Sequence, residues 1–216
     1  MQIAIALYER FTVLDAIGPY QTLSSLPGYE TVFVAEQAGP VRDDTGSLAL
    51  VADKSFAEVR SPDIVVVPGG PGQSDQMENE PLLDWLRTVD ATSTWTTSVC
   101  TGSLALAAAG LLKGRRATSH WCALGELDRL GVESTGERVV FDGKYVTGSG
   151  VSAGIDMGLT LAGRIAGDEH AQTVQLITEY DPQPPYDAGS PEKAPAHLVA
   201  RIRDRSRFGQ EAAGGK

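Results

Sequence analysis

The sequence contains two cysteines, and Cys100 lies between a β-like run and a helix of small residues in the stretch TWTTSVCTGSLALAAAGLL. A strand that stops at Val99 and a helix that starts at Thr101 place Cys100 on a sharp turn, the geometry of a nucleophile elbow. There the unpaired N–H groups of the helix favour a thiolate, which predicts a pKa below the usual value of about 8.5. The alternative is a small buried hydrophobic residue, as most isolated cysteines are. The elbow favours a nucleophile.

The remaining thiol and the histidines give weaker indications of chemistry. Cys122 stands at a predicted helix start, and its simplest interpretation is a small buried hydrophobic residue. His170 and His197 are predicted at the surface, and His120 is interpreted as a structural imidazole, because no partner stands at metal-ligand spacing. The sequence therefore predicts no metal site and no dinucleotide site of the GxGxxG type.

Strands that alternate with helices must position the elbow. Hydrophobic patterning predicts strands in Gln2–Tyr8, YETVFVAEQ, SLALVAD, DIVVVPGGPG, the run before Cys100 and a short run near ATSHW, with a hairpin in RVVFDGKYVT that turns at Asp142-Gly143. The stretch AGPVRDDTG is predicted as a turn. One helix is predicted to begin near Asp15, with Pro19 accommodated only in its first turn, and a second helix is predicted in PLLDWLRTVD. Further helices are predicted over 101–111, 122–130, 152–166, 168–178 and 195–207.

This order predicts an α/β fold, a flavodoxin-like, doubly wound and mostly parallel sheet with helices on both faces. The valine run of DIVVVPGGPG is typical of a central parallel strand buried on both faces. The Gly/Pro cluster that follows lies at the carboxyl end of the strand, where open α/β sheets build their sites. Gly69 and Gly70 are predicted in a tight turn that requires positive φ.

Composition limits the function classes. The chain has 216 residues, 42% of them hydrophobic, which is enough for one large α/β domain. We expect a single domain over 1–187, followed over 188–216 by a helix and a frayed tail, GQEAAGGK. A net charge of −10 with 18 Lys plus Arg argues against nucleic acid or an anionic membrane as partner and favours a small-molecule substrate. No secretion signal or membrane span is recognisable, which predicts a cytoplasmic protein.

Three motifs resemble a known superfamily. VVVPGGPG, SVCTGSLALAAAGLLKGRRATSHW and GSGVSAGIDMGLTL are similar to the ThiJ/PfpI superfamily, the class I glutamine-amidotransferase-like fold, and within it to the isonitrile hydratases. Similar motifs occur in AraC-type transcription regulators, but no helix-turn-helix is recognisable here. Peptidase and deglycase relatives carry His after the nucleophile, where this sequence has Thr101.

The resemblance implies an acid partner for Cys100 in Asp15, within VLDAIGPYQ. An Asp at a helix start is otherwise most simply an N-cap. In the implied reaction the Cys100 thiolate attacks the terminal carbon of an isonitrile, Asp15 protonates that carbon, and water then releases an N-substituted formamide. Burial beside a thiol should raise the pKa of Asp15. The resemblance also implies a homodimer and no cofactor.

Thr101 and Gly70 complete the expected site. The hydroxyl of Thr101 is predicted to bind substrate or water, and its N–H, together with that of Gly70, is predicted to form a donor pocket resembling an oxyanion hole. The alternative for Thr101 is a residue that caps its own helix. Gly148, Gly150 and Gly154 indicate close backbone approach nearby, with Ser152 as a candidate N-cap.

Two other function classes stay open at the level of sequence. An exposed thiol of low pKa also suits a noncatalytic oxidation sensor, in which Cys100 becomes a sulfenic or sulfinic acid. A small-molecule-binding protein related to the regulator domains would need no reactive thiol at all. Tight ligand binding that survives Cys100→Ala would favour this last class.

Overall fold

The structure, a computed structural model, describes residues 1–208 and is built around one seven-stranded sheet. Its strands are β1 (Gln2–Ala6), β2 (Glu30–Ala35), β3 (Gly39–Arg42), β4 (Ala49–Ala52), β5 (Lys54–Ser55), β6 (Ile64–Val67), β7 (Trp95–Val99), β8 (Arg116–Ala117), β9 (Glu133–Ser134), β10 (Val139–Asp142) and β11 (Tyr145–Gly148). The helices are α1 (Val13–Leu23), α2 (Gln73–Gln76), α3 (Glu80–Asp90), α4 (Gly102–Ala108), α5 (Leu124–Arg129), α6 (Ala153–Ala166), α7 (Asp168–Ile177) and α8 (Ala196–Arg205). The predicted frayed tail, residues 209–216, lies outside the described residues.

The sheet runs in the order β10-β11-β7-β6-β1-β2-β5, and every pairing is parallel except the β10–β11 hairpin. The predicted doubly wound, mostly parallel fold is therefore confirmed. The hairpin turn at Asp142 and Gly143 is confirmed too, with Gly143 at φ 60°. Strands β6 and β7 lie side by side at the centre, so their carboxyl ends, and the turns that follow them, adjoin.

Side chains that alternate along the central strands divide the core into two layers. Ile64 and Val66 of β6 pack on one face with α1 and α6, whereas Val65 and Val67 pack on the other face with α3 and α4. All four side chains are fully buried, because a central parallel strand is covered on both faces. This burial on both faces explains the unbroken valine run of β6. The site is built beyond the carboxyl end of the same strand.

Two predictions in the first half of the chain were wrong. The stretch AGPVRDDTG is not only a turn, because its residues 39–42 form β3, which pairs antiparallel with β4. Helix α1 begins at Val13, so Pro19 lies inside the helix rather than in its first turn. Tertiary packing explains this position, since a Cβ at Gly154 of α6 would lie 3.0 Å from Pro19 Cδ. Close contact between α1 and α6 offsets the backbone hydrogen bond that proline removes.

The later helices follow the predictions with shifted ends. The helix after Cys100 spans only Gly102–Ala108, and the region predicted as helix 122–130 divides into a 3₁₀ turn, Trp121–Ala123, and α5. Helices α6, α7 and α8 agree with prediction to within about two residues, which is the usual uncertainty of helix ends. Among residues 1–208, no helix has the length and apolar character needed to cross a membrane.

Candidate active site

Cys100 occupies a strained turn between β7 and α4. Its φ is 57°, in the left-handed region that non-glycine residues rarely adopt, which is the conformation of a nucleophile elbow. The Cys100 N–H donates to the carbonyl oxygens of Gly148 (3.0 Å) and Ser149 (2.9 Å). The elbow is therefore held by the loop that follows β11.

Two buried serines hold the other side of the elbow. The Cys100 carbonyl oxygen accepts hydrogen bonds from the hydroxyls of Ser103 (3.2 Å) and Ser119 (3.0 Å). Both serines are almost fully buried, so neither bond competes with water. Strain at a special φ persists only where surrounding contacts over-determine it, and these contacts do so.

Asp15 lies in the first turn of α1, but its side chain does not cap that helix. The residue is fully buried, and Oδ2 accepts a hydrogen bond from the Gly69 N–H at 2.9 Å. The carboxyl also shares a hydrogen bond with the Cys100 thiol. Its second oxygen, Oδ1, has no hydrogen-bond partner among the described residues. A buried oxygen without a partner is costly, so this atom is suited to a proton or a substrate contact.

Burial dominates the electrostatics of this pair. Desolvation raises the pKa of Asp15 to about 7, against the lowering effect of the hydrogen bonds from Gly69 and Cys100. Desolvation, reinforced by the charge of Asp15, also raises the pKa of the Cys100 thiol. The raised pKa of Asp15 agrees with the expectation, whereas the predicted low pKa of Cys100 was wrong. The short helix α4 does not offset the burial of a residue that is only 5% exposed.

The donors near the sulfur differ from those expected. The Gly70 N–H donates to the hydroxyl oxygen of Thr101 at 3.1 Å, so it is not a free donor. The backbone N–H groups of Thr101 and Val151 instead bond to the Cys100 sulfur and lower its pKa. Thr101 precedes the first residue of α4 but makes no capping bond with its side chain, and Gly70 has the predicted positive φ, at 131°. Sequence reasoning missed Val151 as a donor, because its position depends on the β11–α6 loop.

Gly69 makes the meeting of acid and thiol possible. A Cβ at this position would lie 2.5 Å from the Thr101 nitrogen, 2.6 Å from Thr101 Oγ1 and 2.9 Å from Asp15 Oδ2. No side chain fits between these atoms without a shift of backbone. The glycine is required here for close approach, and its φ is not positive, contrary to the prediction.

A cavity of about 540 Å³ opens onto Cys100 and Thr101. It is lined by residues of the loops at the carboxyl end of the sheet and of the C-terminal chain: Thr12, Asp44, Gly70, Pro71, Cys100, Thr101, His120, Cys122, Val151, Ile202, Arg205, Ser206, Arg207 and Phe208. The contribution of residues 202–208 was not predicted. Short amphipathic helices near a chain end carry no sequence feature that identifies the surface they cover.

His120 and Cys122 both line this cavity. The His120 Nδ1 accepts a hydrogen bond from the Cys122 N–H at 3.3 Å, and burial lowers the pKa of the imidazole. This bond starts the 3₁₀ turn and is consistent with a structural role for His120. Cys122 is half-buried rather than fully buried, and burial raises the pKa of its thiol. Within residues 1–208, no three His, Cys, Asp or Glu side chains cluster as metal ligands.

The fold and the cysteine site together define the class of protein. Residues 1–164 match the DJ-1/PfpI family, and the chain belongs to that family. An isonitrile hydratase of Pseudomonas putida is 45% identical over 206 residues, which cover 95% of this chain and 90% of that protein. The crystal structure of a ThiJ/PfpI family protein from Pseudomonas syringae superposes with a TM-score of 0.93 at 40% identity, over 98% of this chain and 88% of that one.

A regulator is also among the relatives. The HTH-type transcriptional regulator CdhR of Pseudomonas aeruginosa is 30% identical over 148 residues, which are 68% of this chain but 44% of the regulator. The shared part is therefore less than half of that protein. The isonitrile hydratase matches this chain along almost its whole length, and the resemblance to the ThiJ/PfpI superfamily is confirmed.

Proposed function

We propose that the protein is an isonitrile hydratase, an enzyme that converts an isonitrile and water to an N-substituted formamide. The observation that carries the proposal is the buried pair of Cys100 and Asp15, which are joined by a hydrogen bond, with Cys100 also lining a cavity. A relative named as an isonitrile hydratase, 45% identical over 95% of the chain, supports the same conclusion. An isonitrile carbon needs both a nucleophile and a proton, and this pair supplies both.

The first step forms a carbon–sulfur bond. The pair starts with one proton, held by the Cys100 thiol because burial raises its pKa. That proton moves to Asp15, whose carboxyl also titrates near neutral pH. The thiolate attacks the terminal carbon of the isonitrile while Asp15 delivers the proton to that carbon. The product is a covalent thioimidate, R–N=CH–S–Cys100, beside an ionised Asp15.

The second step consumes water. The Asp15 carboxylate takes a proton from a water molecule as its oxygen adds to the thioimidate carbon, and the proton passes to nitrogen. The tetrahedral intermediate then releases the Cys100 sulfur, and the hydroxyl proton returns to Asp15. The formamide R–NH–CHO leaves, and the pair regains its single proton. Hydration involves no net redox change, so this scheme uses only substrate, water and two side chains.

Backbone groups and Thr101 assist the sulfur. The N–H groups of Thr101 and Val151 stabilise the thiolate before attack and after its release. We assign the Thr101 hydroxyl to the binding of the attacking water. Its oxygen already accepts the Gly70 N–H, which orients the hydroxyl, and Thr101 lines the cavity beside Cys100. Gly70 acts in this scheme by holding Thr101.

The site does not favour the oxidation sensor. Sensor cysteines combine a low pKa with exposure, whereas Cys100 is 5% exposed and its pKa is raised. A protein that only binds a ligand would have no use for a buried carboxyl hydrogen-bonded to a thiol. Such a group costs stability, and sites keep it for chemistry.

The test is direct turnover. Purified protein is mixed with cyclohexyl isonitrile, and formation of N-cyclohexylformamide is followed by proton NMR. We expect turnover by the wild-type protein and none by Cys100→Ser, with a thioimidate adduct on Cys100 detected by intact mass after rapid acid quench. Absence of formamide from a folded wild-type protein contradicts the proposed function. Turnover that survives Cys100→Ser contradicts the covalent mechanism.

We also propose the assembly and the setting of the enzyme. The family resemblance supports a homodimer, and the net charge of −10 supports an enzyme that acts on small molecules without nucleic acid. We assign the enzyme to the cytoplasm, in keeping with the expectation from the sequence. The family-type domain is assigned to 1–187 and the C-terminal helix with its tail to 188–216. Sedimentation equilibrium tests the dimer, for which twice the monomer mass is expected, and a concentration-independent monomer mass contradicts it.

A further inference from the structure

The C-terminal segment, defined here as residues 202–208, forms one wall of the cavity above Cys100. It supplies the lining residues Ile202, Arg205, Ser206, Arg207 and Phe208. Cys100 and Thr101, on the turn between β7 and α4, line the same cavity and are both buried. The segment and the nucleophile therefore line the same space, which at about 540 Å³ is much larger than an isonitrile group.

The segment is anchored to the body of the protein. The Arg207 guanidinium donates to Gln73 Oε1, and the Gln73 side chain is fully buried. The Arg203 guanidinium stands over the Trp121 ring, 5.6 Å from its centroid. Phe208 packs against the core layer that includes α3 and α4. These contacts fix the wall in place, so its apolar side chains can discriminate between ligands.

The geometry of an isonitrile directs its substituent to this wall. The R–N≡C group is linear, so attack on its terminal carbon by the Cys100 sulfur leaves the N-substituent projecting away from the floor of the cavity. The surfaces available to that substituent include Ile202 and Phe208, both of which are apolar and partly exposed. Burial of such side chains against an apolar group is favourable, at about 25 cal/mol per Å².

The lengths of the sequence matches agree with a role for the C-terminal segment in substrate binding. The match to the DJ-1/PfpI family ends at residue 164, before the segment begins. The match to the isonitrile hydratase of Pseudomonas putida covers 206 of the 216 residues and so extends at least to residue 206. The segment lies outside the part matched to the whole family and, at least as far as Ser206, inside the part shared with that hydratase.

We propose that the C-terminal segment is the subsite for the N-substituent, and that Ile202 and Phe208 select isonitriles with bulky apolar substituents. The inference rests on the proposed function and adds to it the residues that set selectivity. Cys100 and Asp15 perform the same chemistry on every isonitrile. Ile202 and Phe208 determine which of them bind productively.

The test compares a large and a small substrate in matched variants. In Phe208→Ala and Ile202→Ala, kcat/KM for cyclohexyl isonitrile should fall about tenfold, mainly through KM, which corresponds to about 1.4 kcal/mol. For methyl isonitrile we expect less than a twofold change. Phe208→Leu, which keeps apolar contact, should restore most of the preference. Arg201→Ala is the control, because Arg201 is an exposed residue of α8 that does not line the cavity.

A binding measurement separates this inference from the proposed function. Calorimetric affinities of N-cyclohexylformamide and N-methylformamide are measured with the same proteins, which requires no turnover. Loss of the cyclohexyl preference in Phe208→Ala supports the subsite even if the wild-type protein hydrates neither isonitrile. Equal losses on both substrates in a folded variant, or a wild-type protein that binds both formamides equally, overturn the inference.

Discussion

The two cysteines line the same cavity but lie in opposite surroundings. Cys100 is almost fully buried on a strained turn, with a carboxyl and two backbone N–H groups at its sulfur. Cys122 is half-buried in a 3₁₀ turn, where burial raises the pKa of its thiol while the Ser206 hydroxyl and the charge of Arg203 lower it. The more accessible thiol has a cation nearby, and the buried thiol has an acid.

This difference shows what distinguishes a catalytic thiol from a reactive one. A general electrophile requires only an accessible thiolate, and Cys122 is better placed to meet it. An isonitrile carbon must also gain a proton, and of the two thiols Cys100 is the one that contacts a carboxyl group whose pKa lies near 7, that of Asp15, whereas Cys122 contacts the hydroxyl of Ser206. Cys100 is the nucleophile in the proposed reaction because its sulfur contacts a group that can deliver a proton, and not because its thiol is the more acidic of the two.

The largest expected effect contrasts the two thiols directly. Cys100→Ser should lower kcat on the order of 10⁴-fold or more, because the alkoxide needed for attack is far less accessible than a thiolate. Cys122→Ser should stay within about threefold of wild type, since it keeps a small polar side chain at the same place. Steady-state formation of formamide measures both. Comparable losses of kcat in the two variants would contradict the assignment of Cys100 alone as the nucleophile.

The next effect concerns the acid. Asp15→Asn cannot accept the thiol proton or deliver it to carbon, and kcat should fall by about 10²–10⁴-fold. Asp44→Asn is the matched control, because Asp44 carries the same carboxyl group, lines the cavity and accepts a hydrogen bond from the Thr12 hydroxyl at 2.8 Å. We expect less than a threefold change there. Near-normal turnover of Asp15→Asn would reduce Asp15 to a buried packing residue.

The pH profile tests the proton count of the pair. Below about pH 7, where the pKa of Asp15 lies, the pair holds two protons and no thiolate can form by transfer to Asp15. Above that value one proton remains, which is the reactive state. We therefore expect kcat/KM to rise about tenfold per pH unit up to pH 7 and then to level off. A profile that instead falls through pH 7 would show that the enzyme starts from a preformed thiolate and a protonated Asp15.

The smallest effect tests the support of the elbow. Ser119→Ala removes one of the two hydroxyls bonded to the Cys100 carbonyl, and we expect kcat to fall about fivefold through misplacement of the sulfur. Ser98→Ala is the control, because the Ser98 hydroxyl is equally buried in β7 but has no hydrogen-bond partner within residues 1–208. The rate of Cys100 alkylation, measured by mass spectrometry, should drop in parallel only in Ser119→Ala. A normal alkylation rate with reduced turnover would place the role of Ser119 elsewhere.

Local pattern was sufficient to predict the frame of the site. Alternation of strands and helices predicted the parallel sheet, and a strand followed at once by small helical residues predicted the elbow at Cys100. Those features depend on neighbours within a few residues along the chain. Asp15 was reached only through resemblance, because a helix-start aspartate is usually a cap and nothing local distinguishes it from one.

The electrostatics and the outer wall could not be predicted in the same way. The pKa of Cys100 depends on how completely the surrounding loops and Asp15 exclude water, and those groups come from distant parts of the chain. The Gly70 N–H was assigned to a donor pocket, but its partner is a hydroxyl 31 positions away. The C-terminal segment covers the cavity through tertiary contacts alone. Each of these properties depends on contacts between residues far apart in sequence.

Gly69 has a consequence for how this catalyst can change under mutation. The space beside its Cα is already filled, since a Cβ would lie 2.5 Å from the Thr101 nitrogen and 2.9 Å from the Asp15 carboxyl. A saturation library at position 69 should return only glycine among active clones, although the residue contributes no functional group. Positions 202 and 208 should accept many residues and yield altered substrate ranges. Diversification of the enzyme is thus confined to the outer wall, while the packing between Thr101 and Asp15 tolerates no added atom at position 69.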